Sequence, residues 1–160
     1  MTASWFESRI KYMKGGEDGK EKKVVVSYLL DAMSYTEAEG HMAMVLDSMG
    51  QATYEIASLK KSNITEIVDS NDGNDDKWFK AKVAIIDADG ISGKEKSSFQ
   101  YFLIAAKDIE RALANLLKSL STYVVPYDVV SLTDTNFVDV LPYFPVSDND
   151  ALPQGEKEAQ

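Results

Sequence analysis

Two short stretches hold the residues best suited to chemistry in this chain. One carries Trp5, Arg9 and Lys11, and the other carries Trp78, Lys80 and Lys82. In an extended segment alternate side chains share a face, so each triplet stands together. An indole ring stacks on a base, and a neighbouring cation pairs with a phosphate. The combination suits single-stranded nucleic acid or a nucleotide ligand. A structural reading competes with it: each Trp plugs the end of a core, and alternating Lys and Arg belong to a solvated sheet face.

Other chemistries find less in the sequence. There is no cysteine, which removes disulfides, thiol catalysis and cysteine-based zinc sites together. The single histidine, His41, has no Ser or Asp partner specified by a motif and is expected at a helix surface or core edge. No phosphate-loop or dinucleotide glycine pattern is present. If Gly73 took the glycine position of an EF-hand, Val68 and Phe79 would fall at the first and twelfth ligand positions, where neither ligates. Asp87-Ala88-Asp89-Gly90 reads as a hairpin turn. Paired carboxylates for hydrolysis need fixed geometry, which acids in loops lack. The expectation is a non-enzymatic protein with no catalytic residues, no metal and no cofactor; a hydrolase using loop carboxylates is the third reading.

The elements that position the triplets come in the same order twice. Residues 4–14 alternate, with Phe6, Ser8, Ile10 and Tyr12 on one face and Trp5, Glu7, Arg9 and Lys11 on the other. A Gly-rich turn leads into a β-branched strand from Val24 to Leu30. Ser34 or Thr36 caps a helix with Ala38, Met42, Val45, Leu46 and Met49 at helical spacing, and Gly50 stops it. A strand at 54–59 and, after a break, its short extension at 64–68 follow. The second half gives a strand at 78–87, a turn, a strand at 97–105 and a helix capped by Asp108. The apolar face of that helix is Ile109, Ala112, Leu113, Leu116, Leu117 and Leu120, and strands at 127–132 and 137–141 complete the half. Tyr54-Glu55-Ile56-Ala57-Ser58-Leu59 matches Tyr127-Asp128-Val129-Val130-Ser131-Leu132 at an offset of 73, the offset that also relates Trp5-Phe6 to Trp78-Phe79.

The predicted fold is α+β: internally duplicated ββαβ(β) units related by a pseudo-twofold, with antiparallel sheet or sheets and two helices on one side. The units span residues 4–68 and 77–143, joined by an acidic linker at 69–76 and followed by a disordered acidic tail at 144–160. Whether the repeats share one sheet is left open. The Met-rich first helix, through Met42, Met44 and Met49, and the Leu-rich second helix are the core or else a homodimer seam.

The net charge of −9 opposes a nucleic-acid partner, but the linker carries −4 of it and the residues from Ser147 onward −3. The remainder is close to neutral. No apolar run approaches the roughly 20 residues that span a bilayer, and no signal peptide is visible, so no membrane partner and a cytoplasmic location are expected.

The Trp-Phe start, the run Tyr28-Leu29-Leu30-Asp31-Ala32-Met33-Ser34-Tyr35-Thr36-Glu37-Ala38-Glu39, the second Trp-Phe stretch and the closing Val140-Leu141-Pro142-Tyr143 resemble an uncharacterised family. It is similar to the short domain-of-unknown-function proteins of Bacteroides-type gut bacteria and their phages, which close on Phe-Pro-Tyr; this chain has Leu141 in place of that Phe. The resemblance covers about residues 4–143, implies a phage or mobile-element setting and carries over no catalytic residue. The expected function is binding of single-stranded nucleic acid or a nucleotide through Trp5, Arg9, Lys11, Trp78, Lys80 and Lys82. The alternative is a protein–protein interaction or assembly factor, as a homodimer or a host-protein binder.

Overall fold

The computed structural model describes residues 3–15, 17–50, 53–88 and 93–143. Its elements are β1 (Ser4–Gly15), β2 (Glu21–Ala32), α1 (Tyr35–Ser48), β3 (Tyr54–Lys61), β4 (Ile64–Val68), β5 (Lys77–Ala88), β6 (Glu95–Ala106), α2 (Ile109–Leu120), β7 (Tyr127–Asp134) and β8 (Phe137–Leu141). The protein is α+β as expected, built from two four-stranded sheets and two helices. The expected tail at 144–160 lies outside the described residues, as do Asp89 and Gly90 of the acidic turn. Neither helix is long and apolar enough to cross a membrane.

In the first sheet the order is β3-β1-β2-β8, and in the second β4-β6-β5-β7. Reversing the second gives the same layout, so β1 corresponds to β5, β2 to β6 and β3 to β7. The outer strand beside β2 or β6 comes from the other sequence repeat in both cases. β4, at the end of the first repeat, pairs in parallel with β6, and β8, at the end of the second, lies beside β2. The sequence reading treats Ile64–Val68 as an extension of the preceding strand. It is instead the parallel edge of the other sheet, while β1–β2, β1–β3, β5–β6 and β5–β7 are antiparallel. One compact unit accordingly runs to Ser62 and resumes at Asp139; the other is Asn63–Val138 and contains residues 69–76.

In each unit the helix covers one face of its sheet. Alternation decides which face: Phe6, Ser8 and Ile10 are fully buried, and Tyr28, Leu30 and Ala32 of β2 join them under Ala38, Met42 and Leu46 of α1. In the second unit Phe79, Ala81, Val83 and Ile85 with Phe102, Ile104 and Ala106 pack under Ala112, Leu116 and Leu120 of α2. Burying a Leu or Phe side chain contributes about 1.5–3 kcal/mol, so these clusters supply the main driving force for each unit.

Both helices begin where an acceptor side chain meets an orphan amide. The Ser34 hydroxyl accepts from the Glu37 amide at 3.1 Å, and the Glu37 carboxylate in turn accepts from the Met33 amide at 3.0 Å. Asp108 accepts from the Arg111 amide at 2.8 Å. Gly50, with φ +76°, follows the end of α1 in the left-handed region that favours glycine.

Two expectations for the helices need correction. Met42 is fully buried in the core, so it is not a surface contact; Met49 is the exposed one. The broad apolar face of α2 splits. Ala112, Leu116 and Leu120 face the sheet, whereas Ile109, Leu113 and Leu117 form an exposed stripe at i, i+4 and i+8. An offset of three residues turns the second row about 60° around the helix axis, away from the sheet.

Candidate ligand-binding faces of the two sheets

Register places the sequence-predicted residues on the faces turned away from the helices. In β1 the outer side chains are Trp5, Glu7, Arg9 and Lys11, opposite Asp31, Leu29, Ser27 and Val25 of β2. On the other side Glu7 meets Lys60 of β3, Arg9 meets Ser58, and Lys11 meets Glu55. Trp5 and Lys11 are half-buried and Arg9 is exposed. Trp78, Lys80 and Lys82 are half-buried on the outer side of β5. The two triplets thus lie in separate compact units, each on its own sheet.

The outer face of the second sheet carries aromatic residues that sequence reasoning missed. Tyr101 stands opposite Lys82, and Phe99 opposite Ala84. The Lys82 ammonium sits 4.2 Å from the Phe99 ring centre, and that of Lys80 5.3 Å from the Tyr101 ring while donating to Asn63 Oδ1 at 2.9 Å. Phe99 is 50% exposed, so the ring presents itself to solvent with a cation beside it. Phe99 and Tyr101 two residues apart in a predicted strand were the available signal, because a period of two puts both on one face.

Around Arg9 the first sheet forms a different surface. A pocket of about 170 Å³ is lined by Glu7, Arg9, Ser27, Ser58 and Lys60. Glu7 is held by the Ser62 hydroxyl, which donates to its carboxylate at 2.6 Å, and the Ser62 amide donates to the Trp5 carbonyl at 2.8 Å. In the second unit Thr135 plays the matching part, donating its hydroxyl to the Trp78 carbonyl at 2.7 Å. Both outer faces have a fully buried leucine at corresponding places, Leu29 and Leu103, so neither is the uniformly solvated surface that alternating charges suggest.

Residues 69–76, expected as an exposed connector, are exposed for the most part but fold around Asp75. The Asp75 side chain is only 1% exposed. It accepts from the Ser70 hydroxyl at 2.5 Å, the Lys107 amide at 3.1 Å and the Arg111 Nε at 3.3 Å. The Ser70 hydroxyl, ahead of the Arg111 guanidinium, holds this carboxyl below the usual carboxylate range against the opposing effect of burial. A polar cleft of about 540 Å³ lies between this loop and α2, with Arg111, Asn115 and Lys118 on its helical wall.

His41, expected at a helix surface or core edge, is buried, and its ring meets Tyr143 edge-on with centres 6.3 Å apart. The closing residues of the repeat are therefore anchored on α1. Asp31, beside Trp5, has its carboxyl pushed up by burial and by Glu37, with His41 opposing. Among the described residues no three His, Asp or Glu side chains stand together as a metal site would require.

The two sheets define a duplicated α+β protein in which each repeat completes the other's sheet. The chain belongs to the family described as Domain of unknown function (DUF4494), whose model matches residues 4–143. No curated protein and no solved structure matches it.

Proposed function

We propose that this protein binds single-stranded nucleic acid or a nucleotide on the outer faces of its sheets, without catalysing a reaction. The observation that carries the reading is the pairing of lysines with half-exposed rings on the second sheet, Lys82 over Phe99 and Lys80 over Tyr101, with Trp78 on the same face. An exposed cation–π contact is worth about 0.5–1 kcal/mol. Base–aromatic stacking is worth about 1–3 kcal/mol per base, so a base displaces the ammonium from the ring and leaves it beside the adjoining phosphate. Trp5, Arg9 and Lys11 supply a second aromatic and cationic row on the first sheet. In the phage or mobile-element setting that the family resemblance implies, such a protein holds a single strand or sequesters a nucleotide in the cytoplasm.

Titrating the tryptophan emission with single-stranded oligonucleotides and with mononucleotides, at low and high salt, tests this. Binding that weakens with salt is expected, and Phe99→Ala should cost about 1–3 kcal/mol. Unchanged emission and unchanged mobility with every nucleic acid at low salt would sink the reading.

A second reading, self-association or binding of another protein, is supported by the exposed stripe of Ile109, Leu113 and Leu117 on α2. Sizing in solution separates the homodimer version, since a monomer at micromolar concentration removes it.

A further inference from the structure

We propose that the pocket around Arg9 is a phosphodiester subsite, built to take one monoanionic oxyanion and to discriminate against dianionic phosphate esters. The inference rests on the nucleic-acid reading for the source of the phosphate, and it decides between the two ligands that reading leaves open, in favour of an internal phosphate of a strand.

The register builds the pocket. Arg9 in the central strand stands between Ser27 of β2 and Ser58 of β3, and one row along Glu7 stands opposite Lys60. Directly opposed residues on one face have Cβ atoms about 4.5–5.5 Å apart, so two cations, two hydroxyls and one carboxylate converge. The volume is about 170 Å³. At about 30 Å³ per water, this holds a tetrahedral oxyanion with part of its hydration; it is below the roughly 300 Å³ at which small-molecule sites begin. A nucleoside must lie outside it.

The donors are unspent. Among the described residues the ion pair found is Arg111 with Asp75, and neither Arg9 nor Lys60 has a partner. Ser27 is 7% exposed, lines the pocket and makes no hydrogen bond with its hydroxyl among the described residues. Its oxygen is open to water in the pocket and can turn to meet a ligand oxygen. Glu7 stands opposite Lys60 without an ion pair among the described residues, and its carboxylate accepts from the Ser62 hydroxyl.

Charge then selects the ligand. Arg9 and Lys60 against Glu7 leave one net positive charge. A diester phosphate, with one negative charge, neutralises it. A terminal monoester, which carries close to two at pH 8, meets the Glu7 carboxylate with its excess charge. The second unit is not built to do this: at the places of Ser27, Glu7 and Lys60 it has Tyr101, Lys80 and Thr133.

The test is a nuclear magnetic resonance titration of the full-length, nitrogen-15-labelled chain at pH 8 and low salt, with dimethyl phosphate and with methyl phosphate. Shifts at the Ser27 and Ser58 amides are expected, with dimethyl phosphate binding at least about fivefold tighter. Arg9→Gln and Lys60→Gln should each weaken dimethyl phosphate about tenfold. Glu7→Gln should abolish or reverse the preference, and a melting curve for each variant establishes that it is folded. Methyl phosphate binding as tightly as dimethyl phosphate, Arg9→Gln without effect, or no shifts at about 100 mM ligand would overturn the proposal. The failures are separable. Oligonucleotide binding that responds to Phe99→Ala but not to Arg9→Gln removes the subsite and leaves the broader function. Dimethyl phosphate bound through Arg9 without any oligonucleotide binding does the reverse.

Discussion

Ser8 and Ala81 occupy the same place in the two repeats and differ by one oxygen. Ser8 is fully buried and its hydroxyl has no hydrogen bond among the described residues, while Ala81 is fully buried with nothing to satisfy. An unmet buried polar atom costs about 1–3 kcal/mol, so Ser8→Ala is expected to raise stability by about 1 kcal/mol, or about 2–4 °C in Tm for a chain of this size, measured by thermal unfolding. Asp75 gives the opposite case, a buried charge that is fully met. Its folded carboxyl binds a proton more weakly than the unfolded one. Its contribution is therefore complete above the unfolded value of about 3.9 and is lost as pH falls through the lower folded value. Acid titration followed by amide exchange in residues 69–76 should show this loss below about pH 4. Asp75→Asn should remove the pH dependence and leave Arg111 without its counter-ion.

At the scale of elements, α2 shows how position around a helix outweighs composition. Leu116 and Leu113 are the same residue type three positions apart, yet one is fully buried and the other 40% exposed. Leu116→Ala should cost about 2–5 kcal/mol by opening a cavity beneath the sheet, whereas Leu113→Gln should stay within about 0.5 kcal/mol in denaturant unfolding. If the exposed row is a seam between copies, Leu113→Glu with Leu117→Glu converts a dimer to a monomer on a sizing column without lowering the stability of the monomer. The central strands do for the outer faces what α2 does for the core. β1 brings Arg9 between two serines, and β5 brings Lys82 between Tyr101 and Ser131.

Across the whole molecule, the exchange of β4 and β8 means that neither sequence repeat is a complete structural unit. The first sheet lacks its strand beside β2 without residues from the far end of the chain. Ending the chain at residue 136 should therefore expose the β2 edge and the side of the core that Leu141 packs against. A loss on the order of 2 kcal/mol or more, at least about 5 °C in Tm, is expected by calorimetry, together with a tendency to associate. A stability equal to that of the full chain would argue that β8 is dispensable.

Local patterns in the sequence determined most of the elements. Alternation of Phe6, Ser8 and Ile10 marks β1, the caps Ser34 and Asp108 open the helices, and 64–68 and 137–141 mark β4 and β8 at their observed bounds. These signals were legible because periodicity, capping and turn chemistry act between residues a few positions apart. The offset of 73 was legible for the same reason, and the serine shared by Ser58 and Ser131 was already within it. The tertiary structure alone decided which sheet β4 and β8 join, because the edge that accepts a short strand is set by backbone pairing between distant segments. It also decided the company of Arg9. Ser27 and Lys60 are 18 and 51 positions away in the chain and meet it only through the registers of β2 and β3, so no spacing motif could announce the pocket.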